Sequence, residues 1–353
     1  MSDERLTCLV PTHNRPQFLR RLLQFYSRFS PGFSFLVVDS SNPLIAAENL
    51  AVVESWKSEV DVEYRHFDLN IIDKCVRGLE FVRTPFVVFC ADDDLLFPNA
   101  VRKCVEFLAN EPRYSSAMGR TVQLNTTPAL WHGNGLRVLR GYSIEHDQPL
   151  ERCRQMVARV FSSYYAVYRT ETLLGNFRVT AAQTDSRLSL EVPEVLLSQL
   201  SVLCGRLKVL PLMYSIRERH RSNAGHALRS GVRQQSELFY QRFKECLTNQ
   251  FQHAGIDRSE AERFINDSLG FLRDPNLANR RPRRSAIELV RQVVYGITDR
   301  AVDFFWKDRA RYCRPLQVSD FAGCEQVWHA AVQLIRDFPQ GISSDHSALE
   351  RCV

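Results

Sequence analysis

The segment FVVFCADDDLLFP, residues 86–98, places three aspartates directly after a run of apolar residues. A short, continuous apolar run of this kind indicates a buried strand, because strands covered on both faces have few polar positions. Carboxylates crowded at the end of such a strand repel one another unless a cation neutralises them. Since hard carboxylate oxygens suit Mg²⁺ or Mn²⁺, the segment predicts a metal site at the edge of a sheet.

Upstream of this segment, strand-like and helix-like patterns alternate. The apolar or alternating runs that predict strands are residues 6–12, 33–41 and 60–67, and the runs with helical spacing are 16–29, 44–57 and 71–83. With the strand before the aspartates, the order is β-α-β-α-β-α-β. That order predicts a parallel sheet with helices on both faces.

Three polar segments follow strands of this predicted sheet: PTHNR at 11–15, DSS at 39–41 and DDD at 92–94. Ligands of such sheets bind at the carboxyl ends of the strands, so we expect the three segments to converge. In an extended segment Asp92 and Asp94 would face the same site, while Asp93 would point elsewhere. Because Mg²⁺ is usually held by one or two carboxylates and substrate phosphates, this pair suits a metal–diphosphate complex.

Composition narrows the class of protein without naming it. The 353 residues carry a net charge of +6, and only six of the 46 basic residues are lysine. This mild basicity suits an anionic partner such as a nucleotide. The sequence has no GxxxxGK[ST] motif and no GxGxxG motif near the first strand, which argues against a P-loop enzyme and a standard dinucleotide-binding protein. The aromatic and arginine residues lack the pattern of a nucleic-acid stacking module, so no nucleic-acid partner is expected.

The ten cysteines have irregular spacings without a CxxC pair, which argues against a zinc site. Neither an export signal nor a long apolar span is evident, and the expected location is cytoplasmic. A peripheral position at the inner face of the membrane is left open.

The second half of the chain gives weaker patterns. Residues 162–169 and 206–220 read as strands, and residues 194–204 read as a buried helix with Gly205 as its C-terminal cap. From about residue 232 the pattern is helical throughout. We therefore expect a first domain at 1–225, with a division near residue 115, and a helical region at 226–353.

The runs LTCLVPTHNRPQFLRRLL, FLVVDSS and DKCVRGLEFVRTPFVVFCADDDLLFP together resemble the family 2 inverting glycosyltransferases. The resemblance covers about residues 5–222 and is strongest over the first 110. It implies that the first domain consists of a nucleotide-sugar-binding half at 1–115 and an acceptor-side half at 116–225. It implies the GT-A, or nucleotide-diphospho-sugar transferase, fold: an α/β, Rossmann-like and mainly parallel sheet flanked by helices. The C-terminal region would be a helical extension of this fold.

The resemblance also implies roles for individual residues. The residues that match donor-binding positions are Pro11, Thr12, Arg15, Asp39, Lys74, Asp92 and Asp93. Asp39 would accept a hydrogen bond from a nucleobase N–H, because an ionised acceptor strengthens such a bond. The implied metal ligands are Asp94, Asp92 and His220, with Arg217 or Arg219 on the phosphates.

The resemblance further implies a catalytic carboxylate at the start of a helix, about eleven residues before a glycine, and Gly205 matches that glycine. Counting back from that glycine indicates Glu194, with Glu191 three residues earlier and Asp185 in the preceding loop as alternatives. The family pair is adjacent Glu-Asp, and this chain has Glu-x-x-Glu instead. A carboxylate in the first turn of a helix is also favoured by the helix dipole alone, so the choice among the three residues stays open.

These features predict a metal-dependent inverting transferase that moves a sugar from a nucleotide sugar, with UDP as the expected nucleotide, to a glycan or lipid-linked acceptor. Bacterial surface polysaccharide synthesis is the setting that the resemblance implies. Two alternatives remain: a sugar nucleotidyltransferase, and a binding protein that has kept the fold without the activity. The C-terminal region could shape the acceptor site, form a homo-oligomer or contact a membrane.

Overall fold

The structure is a computed structural model of the chain. It describes residues 4–125, 136–139, 141–159, 163–183, 191–220, 236–270, 313–314 and 323–337. The strands are β1 Leu6–Thr12, β2 Ser34–Asp39, β3 Val62–His66, β4 Phe86–Phe89, β5 Leu95–Leu96, β6 Tyr114–Asn125, β7 Leu136–Leu139, β8 Val167–Arg169, β9 Arg206–Arg219 and β10 Cys313–Arg314. The helices are α1 Pro16–Phe29, α2 Pro43–Trp56, α3 Ile71–Phe81, α4 Pro98–Asn110, α5 Pro149–Arg159, α6 Thr170–Ala181, α7 Glu191–Cys204, α8 Ser236–His253, α9 Arg258–Leu269 and α10 Glu325–Asp337.

The first four strands form the parallel part of a mixed sheet, in the order β3-β2-β1-β4. Strand β8 then pairs antiparallel with β4 and β6, and β6 pairs antiparallel with β7 and parallel with β9. The chain moves outward from β1 through β2 and β3 and then returns to the other side of β1 with β4. The crevice between the ends of β1 and β4 is therefore the topological switch point, where such sheets bind ligands.

Local sequence explains these elements. Helix α1 begins at Pro16, whose missing N–H would have no intrahelical partner in the first turn anyway. Its buried residues Phe18, Leu22 and Tyr26 follow helical spacing and face the core. All four residues of β4 are buried, as expected for a central strand covered on both faces.

Gly205 lies between α7 and β9, but it does not cap the helix in a left-handed conformation, so that expectation is wrong. A Cβ atom at this position would lie 2.8 Å from the backbone nitrogen of Ser115. Glycine is needed here because β6 passes so close to the chain. This close approach starts β9 beside β6.

The C-terminal part packs onto the sheet and its helices. Helices α8 and α9 contact each other, and they contact α7 and α5 respectively. Helix α10 contacts α1, and β10 pairs antiparallel with β7. The expected all-helical pattern after residue 232 is therefore incomplete, because this region also contributes an edge strand.

Candidate functional site

The polar ends of β1 and β4 meet at the switch point. The hydroxyl of Thr12 donates a 2.6 Å hydrogen bond to Asp92, and Arg15 lies 2.5 Å from the other oxygen of the same carboxylate. Thr12 and Asp92 are buried, and Pro11 is buried within β1 beside Val38 of β2. The predicted convergence of these strand ends is therefore present.

The three aspartates form a turn and not the extended segment that we expected. The amide of Asp94 donates to the carbonyl oxygen of Ala91 at 3.1 Å, which closes the turn. The rule that residues i and i+2 of an extended chain face the same side therefore does not apply to Asp92 and Asp94. Asp93, expected to point away, lies inside the cluster and contacts Arg15 at 3.0 Å and His220 at 2.9 Å.

The neighbours of Asp93 stabilise its charge. Burial would raise the pKa of this carboxyl, but Arg15, His220 and Arg21 together hold the pKa well below its usual value. The ring of His220 stacks on Phe18 with centroids 4.8 Å apart, so the imidazole is held against Asp93. His220 thus faces Asp93, and in this arrangement it does not join Asp92 and Asp94 around a common point.

Asp94 is the least compensated carboxylate of the three. It accepts a hydrogen bond from the amide of Glu218 at 2.8 Å and another from the side chain of Tyr165, and Arg217 lies 3.6 Å away. These contacts are outweighed by burial and by the charge of Asp93, which raise the pKa of Asp94 to about 7. A further cation beside Asp94 would therefore be favourable.

Asp39 anchors a separate buried cluster at the end of β2. One of its oxygens accepts from the amide and hydroxyl of Ser41 at 2.7 and 2.5 Å, and the other accepts from Asn49 at 2.9 Å and Tyr64 at 2.6 Å. The carboxylate is fully buried. Burial would raise its pKa, but these hydrogen bonds lower it below the usual value. A nucleobase would reach Asp39 only by displacing one of them.

Lys74 lies beneath the ends of β1 and β2. Its ammonium group donates to the carbonyl oxygen of Thr12 at 2.5 Å and to the hydroxyl of Ser40 at 2.8 Å. Gly78, one helical turn later, allows α3 to pack closely against β2, because a Cβ atom at this position would lie 2.6 Å from the side chain of Val38. Burial lowers the pKa of Lys74 to about 8. The lysine is therefore a buried cation under the predicted donor site.

His13 completes this edge of the site. Its Nδ1 atom lies 2.8 Å from the carbonyl oxygen of Ser40, and its Nε2 atom lies 3.0 Å from the side-chain nitrogen of Asn14. Nδ1 must donate to the carbonyl, and Nε2 then accepts from the amide. Burial and Lys74 lower the pKa of His13, which agrees with this neutral form.

The predicted acceptor side of the site is more exposed to solvent than the aspartate turn. Glu194 is exposed in the first turn of α7, which begins at Glu191, and it interacts electrostatically with Arg217 and Tyr164. Arg217 also contacts Asp94, so Glu194 lies near the metal-binding candidate through one shared neighbour. The structure describes only the backbone of Glu191, and Asp185 lies outside the described residues.

Sequence reasoning missed three residues that contact the aspartate turn: Arg21, Tyr165 and Glu218. Arg21 stands three residues after Phe18 and four before Phe25, on the buried face of α1. A charged residue on an apolar stripe is a usable signal, because such a charge needs a buried partner. Tyr165 and Glu218 gave no comparable signal, since both lie in segments where polar residues alternate with apolar ones.

A metal ion fits this site at Asp94 but not at all three predicted ligands. Among the described residues no group of three or more His, Cys, Asp or Glu side chains is arranged to hold an ion. Both oxygens of Asp92 are engaged by Thr12 and Arg15, and His220 is engaged by Asp93. Mg²⁺ and Mn²⁺ complexes with diphosphates need few protein ligands, so one under-compensated carboxylate is sufficient.

Solved structures with a similar arrangement of strands and helices identify the fold. The structure resembles TarS 1-349 of S. aureus in complex with UDP-GlcNAc, with a TM-score of 0.55, 15% sequence identity, and coverage of 94% of this chain and 90% of that chain. It also resembles TarS 1-349 in complex with UDP, with a TM-score of 0.53, 14% identity, and coverage of 93% and 91%. The fold is the GT-A fold of glycosyltransferases, as the sequence predicted.

The family assignment follows from the sequence itself. The model for the family "Glycosyl transferase family 2" matches residues 7–173, which span β1 to the start of α6. Residues 7–173 therefore match glycosyltransferase family 2, which confirms the resemblance that the sequence predicted and supports the predicted enzyme class, a glycosyltransferase. No curated protein matches the sequence significantly. None of the helices in the described part of the chain is long and apolar enough to cross a bilayer.

Proposed function

We propose that this protein transfers a sugar from a UDP-linked donor to a hydroxyl group of a glycan or lipid-linked acceptor, with inversion at the anomeric carbon. The observation that carries the proposal is the position of Arg217. This residue contacts Asp94 on the donor side and interacts with Glu194 on the acceptor side. A carboxylate suited to a metal and a carboxylate suited to a base thus lie on either side of one arginine.

On the donor side, the nucleotide would lie over the ends of β1 and β2. Lys74 and Arg15 supply positive charge there, while Thr12 and Ser40 are fixed by their hydrogen bonds. The TarS complexes with UDP and UDP-GlcNAc support a uridine donor, since they share this fold. Asp39 would act mainly by holding the loop after β2 and not by direct contact with the base.

Asp94 would hold the Mn²⁺ or Mg²⁺ ion together with the diphosphate oxygens. The ion would supply stabilisation of the negative charge that develops on the leaving nucleoside diphosphate. Arg217 would contribute in the same direction, because its guanidinium lies beside Asp94 and over the ring of Tyr165 at 4.9 Å.

On the acceptor side, Glu194 would accept the proton of the attacking hydroxyl as the new glycosidic bond forms. A single displacement from the face opposite the leaving group inverts the configuration. Glu194 is exposed, so an acceptor can reach it. Glu191 and Asp185 remain the alternatives for this role.

We further place the transferase domain at residues 1–225 and treat 226–353 as a region that supports it. Helices α8 and α9 would brace α5 and α7, and therefore the helix that carries Glu194. A cytoplasmic location, with or without contact to the inner face of the membrane, suits an enzyme that uses nucleotide sugars.

The test is donor turnover by the purified protein. A panel of nucleotide sugars is incubated with Mn²⁺, with Mg²⁺ and with a chelator, and release of the nucleoside diphosphate is measured with and without glycan acceptors. We expect metal-dependent turnover of a UDP-sugar that falls sharply in Asp94→Asn and Glu194→Gln. Glu171→Gln is the matched control, because Glu171 is an exposed carboxylate in the first turn of α6. Turnover that survives in both site variants would refute the assignment.

A further inference from the structure

A buried ion pair joins α1 to β9 directly behind the aspartate turn. Arg21 of α1 and Glu218 of β9 approach to 2.6 Å, and their side chains are 1% and 0% exposed. Neither side chain can touch a substrate. The pair belongs to no motif that the proposed function uses, so its presence needs a separate explanation.

Stability alone is a poor explanation for such a pair. Removing two charges from water costs several kcal/mol, and replacing a buried pair with apolar residues of similar size is often neutral or stabilising. Breaking the pair by removing only one partner is strongly destabilising, because one buried charge is then left uncompensated. Keeping both partners therefore suggests a benefit other than stability.

The two residues hold two different atoms of the aspartate turn. Arg21 donates its second guanidinium nitrogen to the carbonyl oxygen of Asp93 at 2.7 Å. The backbone amide of Glu218 donates to the carboxylate of Asp94 at 2.8 Å. The ion pair closes this arrangement, so the turn is fixed from α1 on one side and from β9 on the other.

The surroundings reinforce the same geometry. The guanidinium of Arg21 lies over the ring of Phe18 at 5.0 Å, and His220 stacks on that ring while it contacts Asp93. Three-residue spacing separates Arg15, the N-cap of α1, from Phe18, and Phe18 from Arg21. On the other side, Glu218 lies in β9 and His220 directly follows that strand. One face of a helix and one face of a strand thus enclose Asp93.

We propose that Arg21 and Glu218 are positioning residues of the glycosyltransferase reaction: they set the aspartate turn so that Asp94 faces the metal and diphosphate of the donor. This inference rests on the proposed donor site, and it assigns the two residues no contact with the substrate. The proposal has one distinguishing consequence. Replacing both residues together should weaken donor binding and leave the stability of the fold nearly unchanged.

The experiment compares the wild type with three variants. Glu218→Gln removes the carboxylate charge that faces Arg21, and Arg21→Lys keeps a charge but loses the planar fork that reaches two acceptors. The double variant Arg21→Met with Glu218→Met removes both charges. The control pair is Arg258→Gln with Glu245→Gln, which replaces an ion pair that is about half-exposed on α8 and α9. Each protein is tested for UDP binding with Mn²⁺ by calorimetry and for unfolding in denaturant.

A second readout needs no ligand. The imidazole NMR signals of His220, identified by comparison with His220→Gln, report whether the turn has moved, because His220 contacts Asp93. We expect the double variant to unfold at nearly the wild-type midpoint, to bind UDP about tenfold more weakly or worse, and to show shifted His220 signals. Arg21→Lys should show the same changes in binding and signals to a smaller degree, and the control pair should show none.

Unchanged His220 signals in the double variant and in Arg21→Lys would overturn the proposal, whatever the ligand does. Wild-type UDP affinity in the folded double variant would overturn it as well. If the double variant does not fold, Arg21→Lys decides by the same two readouts. Shifted His220 signals in a protein whose wild type binds no UDP would support the positioning role and refute the proposed donor.

Discussion

Two buried carboxylate clusters lie at the ends of β2 and β4, on either side of β1, and their charges are stabilised in different ways. Asp39 receives all its described hydrogen bonds from neutral groups within 25 residues of it: the backbone and hydroxyl of Ser41, Asn49 and Tyr64. The aspartate turn instead contacts Arg15 at the start of α1, Arg217 of β9 and His220 just after β9, which is 127 residues from Asp93. The first cluster is local and complete, whereas the second is assembled from the whole domain.

The pKa values express the same contrast. The pKa of Asp39 lies below its usual value, since its hydrogen bonds outweigh burial, while burial and Asp93 raise the pKa of Asp94 to about 7. The ionised form of Asp39 therefore stabilises the fold, and the ionised form of Asp94 opposes it. We therefore propose that Asp39 has a structural role and that Asp94 is available for a cation that the substrate complex brings.

Asp94→Asn gives the largest effect that this contrast predicts. Donor turnover should fall by about 10³-fold, because the variant loses the carboxylate that would hold the metal. Stability should not fall near pH 8, since a carboxylate with a raised pKa is destabilising once it is ionised. Initial rates and denaturant unfolding at the same pH test both halves of the prediction. A marked loss of stability would place Asp94 with Asp39 as a structural residue.

Glu194→Gln should reduce turnover by about 10²-fold or more, because general base catalysis contributes on that order. UDP binding should stay close to that of the wild type, since Glu194 lies on the acceptor side. Kinetics and calorimetry on this variant and on the Glu171→Gln control separate the two effects. If Glu194→Gln keeps the wild-type rate, the base is to be sought at Glu191 or Asp185.

Asp39→Asn should destabilise the fold by about 1–3 kcal/mol at neutral pH, because a buried, charge-assisted hydrogen-bond network is broken. The folded-state pKa of Asp39 is lowered, so its stabilisation is full above its unfolded pKa of about 3.9 and is lost as the pH falls through the folded value. The difference between wild type and variant should therefore shrink in acid. Denaturant unfolding across this pH range measures it, and a constant difference would contradict the assignment.

Tyr64→Phe removes one of the hydrogen bonds to Asp39 and should cost about 1–2 kcal/mol, the smallest effect in the series. Turnover should change little, because Tyr64 lies behind Asp39 and not in the donor site. Thermal unfolding and initial rates check this. A large loss of turnover at unchanged stability would mean that the Asp39 cluster contacts the substrate after all.

The sequence predicted the parallel strands well, because buried strands and amphipathic helices follow local periodicity. The strand ends at Thr12 and Asp39 were placed correctly, and they converge as the topology requires. The predicted extended conformation of the three aspartates was wrong. The i, i+2 rule assumes an extended chain, whereas the amide of Asp94 closes a turn. The hydrogen bond between Ala91 and Asp94 is local, and the apolar pattern of the preceding strand did not predict it.

The partners of the aspartates could not be predicted for a different reason. Arg21 and Glu218 meet the turn only because α1 and β9 pack against it, and no local pattern encodes that packing. Sequence distance hides such contacts even when each residue is conspicuous by itself. The fold was therefore accessible from the sequence, while the electrostatics of the site required the structure.

The most direct test of the central claim is a calorimetric titration of UDP, with and without Mn²⁺, into the wild type, Asp94→Asn and Asp39→Asn. We predict Mn²⁺-dependent binding to the wild type, and binding in the folded Asp94→Asn variant that is weak and no longer responds to Mn²⁺. Asp39→Asn should bind UDP with Mn²⁺ dependence intact at a temperature where it is folded. Equal Mn²⁺ dependence in the wild type and Asp94→Asn would contradict the account.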